Sequence, residues 1–75
     1  MDCTITTDGN GTAYLPINTN TNAIVGFKNW NEMWLLFIPF SNNNSGQWIV
    51  KVMNLLDLSI VSNAIFDARI FYLTA

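Results

Sequence analysis

Short segments of apolar or alternating residues recur along this chain about every ten residues, and turn-forming residues separate them. The segments are five to nine residues long, which suits β-strands and is short for helices. This spacing predicts an all-β fold: a small antiparallel β-sandwich of about seven strands that forms a single domain over residues 1–75. The predicted strands cover residues 3–7, 11–17, 23–28, 32–40, 47–53, 58–62 and 66–73.

Turn residues predict how neighbouring strands connect. The sequence DGNG at positions 8–11 can adopt the positive φ angles of a tight turn, so it predicts a hairpin between the first two strands. The sequence SNNNSG at positions 41–46 predicts a second hairpin, between segments 32–40 and 47–53. Pro16 cannot donate a ladder hydrogen bond, which places the second strand at a sheet edge or ends it there. Gly26 predicts a β-bulge or a close backbone approach.

Segment 32–40 is apolar on both faces, unlike a strand that has one face in water. A helix is the alternative for this segment, but its length of nine residues and Pro39 favour a strand. Either loops cover its outer face, or another copy of the chain does. Charged residues make up only 11% of the chain, against about 25% in an ordinary domain, and this favours a symmetric oligomer. The predicted interface comprises Trp34, Leu36, Ile38 and Phe71.

The better alternating faces of the segments predict the buried core. In segment 47–53, for example, Trp48 and Val50 lie on the face opposite Lys51. The predicted core residues are Ile5, Leu15, Val25, Phe27, Leu35, Phe37, Trp48, Val50, Ile60, Ala68 and Ile70.

The inventory of reactive side chains is small. The chain has no histidine and one cysteine, which excludes a disulfide framework, an ordinary zinc site and any histidine-dependent nucleophile. A net charge of −2 does not suit nucleic-acid binding. Asp8 lies in a turn without the further acidic ligands of a calcium loop, and Asp67 and Arg69 share one strand face, as an ion pair would. We therefore expect no catalytic residue, no metal site and no cofactor, and we expect that the chain is not an enzyme.

Binding is the chemistry that the composition favours. The chain has eleven asparagines, seven threonines and four serines. Amide side chains both donate and accept hydrogen bonds, and exposed aromatic rings offer a flat apolar surface, which is the combination that neutral sugars require. The alternative is that Trp30 packs over one end of the sandwich and the asparagines only form turns. The predicted ligand-binding residues are Asn29, Trp30, Asn31, Asn42, Asn43 and Asn44.

Four phrases in the sequence carry a family resemblance: TTDGNGTAYLPI at positions 6–17, AIVGFKN at 23–29, WIVKVMN at 48–54 and ARIFYL at 68–73. In this order, with an Asn-rich loop and a Trp-bearing strand between them, they resemble the C-terminal receptor-binding head domains of bacteriophage tail fibres and baseplate proteins. The resemblance implies a homotrimeric β-sandwich in the virion, a fibre shaft that precedes Met1, and a saccharide or protein on the host cell surface as ligand. It assigns no ligand residue in this chain.

These observations predict a non-enzymatic receptor-binding module of a phage tail fibre that recognises a host cell-surface saccharide through Asn-rich loops. The alternative function is a structural trimerisation or fibre-tip domain without a ligand of its own. The expected partners are other copies of the chain, with a trimer favoured, and the host receptor. No membrane insertion is expected, because the apolar run at 34–40 is far too short to span a bilayer.

Overall fold

The computed structural model describes residues 1–17, 21–30, 34–42 and 47–74. These residues form six β-strands and no helix, and every strand pair is antiparallel. The all-β prediction is therefore confirmed, with six strands instead of about seven. The strands are β1 (Asp2–Thr6), β2 (Thr12–Tyr14), β3 (Thr21–Asn29), β4 (Leu35–Asn42), β5 (Gln47–Asn54) and β6 (Ile65–Thr74).

The strands form two three-stranded sheets, each named here after its central strand. The β6 sheet has the order β1-β6-β3, and the β5 sheet has the order β2-β5-β4. One hydrophobic cluster takes buried residues from both sheets, among them Ile5 and Ile70 from the β6 sheet and Val50 from the β5 sheet. Each sheet therefore has an inner face toward this cluster and an outer face away from it.

The hairpin predicted at positions 8–11 is wrong, because the two strands that flank this turn join different sheets. β1 pairs with β6, whereas β2 pairs with β5. The turn itself is tight: the Asp8 carboxylate accepts hydrogen bonds from the backbone N–H groups of Asn10 and Thr12 and from the Thr12 hydroxyl, at 2.8, 3.0 and 2.7 Å. Gly11 has a φ of 75°. These contacts hold the turn that carries the chain from the β6 sheet to the β5 sheet.

The strand predicted at residues 58–62 is also wrong. Only Ile60 forms a β-bridge, with Met53. β2 and Gly11 already occupy this edge of β5, since the Val52 N–H donates to the Gly11 carbonyl at 2.8 Å. Residues that lie opposite each other in a sheet share a face, so Ile60 lies on the outer face with Met53 and is exposed. Its neighbour Val61 points to the inner side and is buried.

Two other connection predictions are confirmed. β4 and β5 form the predicted hairpin, with register pairs from Leu35 opposite Asn54 to Asn42 opposite Gln47. β2 lies at a sheet edge and ends before Pro16. The beginning of the predicted segment 32–40 lies partly outside the described residues, and the strand that follows begins at Leu35.

The core prediction is partly confirmed. Of the predicted residues, the buried ones are Ile5, Leu15, Val50, Ala68 and Ile70, and the partly buried ones packed against them are Phe27, Leu35, Phe37 and Trp48. The alternation also places other residues in the core that were not predicted there. These are Ala13, Ile17, Val52, Val61 and Phe66.

Val25 is the second error in the predicted core, after Ile60, and a β-bulge explains it. Ile24 lies opposite Tyr72 and Gly26 lies opposite Phe71, so Val25 has no partner of its own. The extra residue changes the phase of the alternation along β3. Ile24 and Phe27 consequently pack against the core, while Val25 is 65% exposed. The bulge that Gly26 predicted is thus confirmed.

Candidate functional site

The outer face of the β6 sheet carries two rows of polar side chains that the strand register aligns across three strands. β1 and β6 bring Thr4 opposite Asp67 and Asp2 opposite Arg69. β3 adds Lys28 opposite Arg69, and the Trp30 N–H donates to the Asp67 carbonyl at 3.4 Å. We call this surface the polar face; its residues are Asp2, Thr4, Lys28, Trp30, Asp67 and Arg69.

An ion pair orders one row of the polar face. Arg69 donates from Nε and a terminal nitrogen to the two carboxylate oxygens of Asp2, at 2.6 and 3.1 Å. This hydrogen bonding lowers the pKa of Asp2 below its usual value and raises the pKa of Arg69. The ion pair expected between Asp67 and Arg69 is therefore wrong, because β1 supplies a carboxylate directly opposite Arg69. Asp67 instead accepts a hydrogen bond from the Thr4 hydroxyl at 3.1 Å.

Trp30 is the aromatic member of the polar face. The Lys28 ammonium lies 5.6 Å and the Arg69 guanidinium 5.3 Å from the centroid of its ring, and both distances are within cation–π range. The residue is 50% exposed. An open depression of about 410 Å³ lies beside it, lined by Asp2, Cys3, Thr4, Trp30, Asp67 and Ala68. This depression combines a flat apolar ring with hydroxyl and carboxylate oxygens.

Cys3 contributes no nucleophile of unusual reactivity to this depression. It lies opposite Ala68 and packs against the core. Burial raises the pKa of its thiol, so the thiolate is less populated at neutral pH than in an exposed cysteine. Among the described residues, no three cysteine, aspartate or glutamate side chains are grouped as a metal site would need.

Of the predicted ligand-binding asparagines, the structure describes Asn29 and Asn42, and neither lines the depression beside Trp30. Asn29 lies opposite the buried Ala68, on the other side of the sheet from Trp30. Asn42 ends β4, opposite Gln47 in the β5 sheet, whereas Trp30 follows β3 of the β6 sheet. Asn31, Asn43 and Asn44 lie outside the described residues. The residues that do surround Trp30 come from β1 and β6, and Asp2 and Thr4 were not predicted as site residues.

The outer face of the β5 sheet is apolar, in contrast to the polar face. Three rows cross it: Tyr14 and Phe40 flank Ile49, Thr12 and Ile38 flank Lys51, and Ile60 and Leu36 flank Met53. Trp34 extends the surface at one end, where its carbonyl accepts a hydrogen bond from the Leu55 N–H at 2.8 Å. We call this surface the apolar face. Its residues are Thr12, Tyr14, Trp34, Leu36, Ile38, Phe40, Ile49, Lys51, Met53 and Ile60.

Three of the four predicted interface residues lie together on the apolar face. Trp34, Leu36 and Ile38 follow one another along one side of the β4 segment. Phe71 does not join them, because it belongs to β6 and lies opposite Gly26 on the outer side of the other sheet. Tyr14, Phe40 and Ile60, which sequence reasoning did not assign to this surface, lie there instead. The alternation of Ile49, Lys51 and Met53 indicated the central column, but the strand order that brings Tyr14 beside it could not be deduced.

The part of the chain that the structure describes contains no helix long and apolar enough to cross a bilayer. Comparison of the chain with protein-family models, with curated proteins and with solved structures found no match.

Proposed function

We propose that this chain is a non-enzymatic adhesion module that binds a neutral saccharide on the polar face, beside Trp30. The observation that carries the proposal is the depression of about 410 Å³ in which a half-exposed indole ring adjoins the oxygens of Thr4, Asp2 and Asp67. Its volume lies within the range of about 300–1,000 Å³ that small-molecule sites occupy.

Each lining group offers a contact that a sugar can use. The apolar side of a pyranose ring can stack on the indole of Trp30. Sugar hydroxyl groups can donate to the carboxylates of Asp67 and Asp2, which only accept hydrogen bonds when ionised, and can exchange hydrogen bonds with Thr4. The proposed site therefore differs from the Asn-rich loops expected from the sequence, and only Trp30 is common to both.

The charges at the site favour a neutral saccharide over an acidic one. The two carboxylates line the depression directly. The guanidinium of Arg69 is already held by Asp2, in a bidentate contact. Lys28 and Arg69 balance the two carboxylates around Trp30, so the site has no net charge to attract a carboxylated or phosphorylated sugar.

The architecture we infer for this function is a small β-sandwich. The rings of Phe27 and Phe37, from different sheets, stack with centroids 4.7 Å apart, and Phe66 lies 6.0 Å from Phe37. Such a sandwich would present the polar face to a receptor, as in the phage fibre heads that the sequence resembles. Several copies on one fibre would convert weak individual sites into firm attachment.

A glycan array tests the proposal, with three forms of the protein: wild type, Trp30→Ala, and the control Leu56→Ala, which changes an exposed residue on neither face. We expect the wild type to bind at least one neutral saccharide. Loss of the stacking ring should weaken this binding by about tenfold or more, while the control binds normally. A folded wild type that binds no neutral saccharide, or a Trp30→Ala variant that binds as well as the wild type, would contradict the proposal.

A second candidate function is a structural assembly domain without a ligand. The observation that favours it is the apolar face, whose large exposed side chains indicate contact with another chain. This candidate predicts that the protein associates with itself, yet binds nothing on the array.

A further inference from the structure

We propose that the apolar face is the surface through which copies of this chain pack against one another. This inference is independent of the saccharide site, which lies on the other sheet. It assigns to one defined surface the self-association that the low charge content of the chain suggested.

The composition of the apolar face sets it apart from an ordinary outer sheet surface. A solvated antiparallel sheet alternates apolar inner residues with polar outer ones. Here the three outer rows contain only two polar side chains, Thr12 and Lys51. The large residues between them are exposed in the single chain, and a contiguous surface of this kind indicates a protein contact.

The area of the apolar face matches what a stable self-contact needs. Tyr14 is 73% exposed, Trp34 66% and Phe40 44%. For rings of this size, these fractions correspond to about 400 Å² of exposed surface. Each partner in a standard interface contributes about 800 Å², so the three rings alone supply about half, before Ile38, Ile60 and the half-buried residues are added.

The surface available for this contact is the face of the sheet, since the two edges are poor partners. β2 has only three residues and is followed by Pro16, and β4 contains Pro39. A proline cannot donate a ladder hydrogen bond, and short or proline-containing edge strands discourage the addition of a further strand. Copies of the chain would therefore pack side chain to side chain, as two sheets do in a core.

A second copy is the occupant that fits best because the apolar face offers little to a charged partner. Lys51 is the single charged side chain in its three rows, and the one carboxylate described at their margin, that of Asp8, is already hydrogen-bonded to Thr12. Lys51 can run its aliphatic stem between Thr12 and Ile38 and keep its ammonium at the margin of the contact. Its charge nevertheless opposes close packing, so its removal should strengthen the association.

This inference is tested by measuring the native mass of matched variants by light scattering, over a dilution range of about a hundredfold. Ile38→Asp puts a charge on the apolar face, and Ile65→Asp makes the same change at an exposed isoleucine on the outer side of the β6 sheet. We expect wild type and Ile65→Asp to have the mass of two or three chains. Ile38→Asp should associate more weakly, by about tenfold or more, because a contact would have to bury its carboxylate together with the ammonium of Lys51, which lies opposite it.

Two further variants make the outcome decisive. Tyr14→Ser removes a side chain that is exposed in the single chain, so it should weaken association without unfolding the protein, and it replaces Ile38→Asp if that variant does not fold. Lys51→Met should tighten association about tenfold. A wild type that stays a single chain at every concentration would overturn the proposal, as would association that survives both Ile38→Asp and Tyr14→Ser.

Discussion

The two sheets of this protein are alike inside and different outside. Each has three antiparallel strands and contributes to the same buried cluster. Outside, the β6 sheet carries the Asp2–Arg69 ion pair beside the exposed Val25, Ile65 and Phe71, and the β5 sheet carries rows of aromatic and aliphatic side chains around one lysine. The inner faces form the buried cluster of the single chain, so the outer faces are where contacts with other molecules can form.

The difference also explains how a chain with 11% charged residues can distribute its charges. The polar face carries four charged residues: Asp2, Lys28, Asp67 and Arg69. Arg69 pairs with Asp2, Lys28 and Arg69 lie over Trp30, and Asp67 accepts a hydrogen bond from Thr4. Of the described charged residues, Lys51 lies in the rows of the apolar face, and Asp8 lies at its margin, hydrogen-bonded to Thr12. Concentration of charge on one side keeps that side in water and leaves the other side suited to burial.

The largest expected effect breaks the interior that both faces share. Ile70→Ala removes a buried side chain from β6, and it should lower the free energy of unfolding by about 3 kcal/mol. Ile65→Ala, on the same strand but exposed, should change it by less than about 0.5 kcal/mol. Urea unfolding followed by circular dichroism measures both values. Equal effects would mean that the inner and outer sides of β6 have been assigned incorrectly.

The next effect concerns Gly11, which lies behind the third row of the apolar face. A Cβ there would overlap Cγ2 of Ile60, would approach the Val52 carbonyl oxygen to 3.1 Å, and would have to adopt a φ of 75°. We expect Gly11→Ala to lower the free energy of unfolding by about 2 kcal/mol. Gly9→Ala is the control, because its Cβ would meet no atom within 4 Å. If the two alanine variants unfold at the same urea concentration, the packing of Ile60 over Gly11 is not as described.

A smaller effect should follow acidification. The pKa of Asp2 is lowered by the hydrogen bond from Arg69, that of Asp8 by the backbone N–H of Thr12, and that of Asp57 by the hydroxyl of Ser59. A lowered pKa in the folded state contributes stability above the unfolded value of 3.8. This contribution is lost as the pH falls through 3.8 toward the lower folded value. The urea concentration at the midpoint of unfolding should therefore be constant from neutral to mildly acidic pH, and it should decrease at lower pH.

The aspartates can be separated by substitution in the same titration. Asp8→Asn removes the carboxylate that holds the crossover, and it should reduce the loss of stability at low pH. Unchanged pH dependence in Asp8→Asn and in an Asp2→Asn variant would show that these carboxylates have ordinary pKa values in the folded protein.

The smallest effect is expected on the polar face. Arg69→Met removes the ion pair with Asp2, but both side chains are well exposed, and such pairs contribute little to stability. We expect a slight decrease in Tm at low ionic strength and none at about 1 M salt, where the screening length is about 3 Å. A large decrease at high salt would mean that Arg69 stabilises the sheet through packing on Trp30.

Local patterns in the sequence predicted a good part of the fold. Strict alternation in segments 47–53 and 66–73 placed Val50, Ala68 and Ile70 in the core, because a two-residue period assigns faces directly wherever a strand is regular. The same method failed at Val25, where a bulge inserts one residue and shifts the phase. It failed at Ile60 because Gly11 and β2 occupy most of the edge of β5.

Long-range pairing accounts for what the sequence did not reveal about the sites. The polar face exists because β1 pairs with β6 across more than sixty residues, which brings Asp2 and Thr4 to Arg69 and Asp67. No local pattern specifies such a partner. The turn at residues 8–11 has the composition of a hairpin, and only the competing pairings of β1 with β6 and β2 with β5 make it a crossover.

The contrast between the outer faces can be measured in one sample. A soluble paramagnetic gadolinium complex broadens the NMR signals of solvent-exposed methyl groups, so the methyl signals of Ile38 and Ile60 on the apolar face can be compared with that of Ile65 on the β6 sheet. At high protein concentration, we expect Ile38 and Ile60 to be protected and Ile65 to be broadened. On dilution, all three should be broadened. Equal broadening of the three isoleucines at every concentration would contradict the assignment of the apolar face as the surface for self-association.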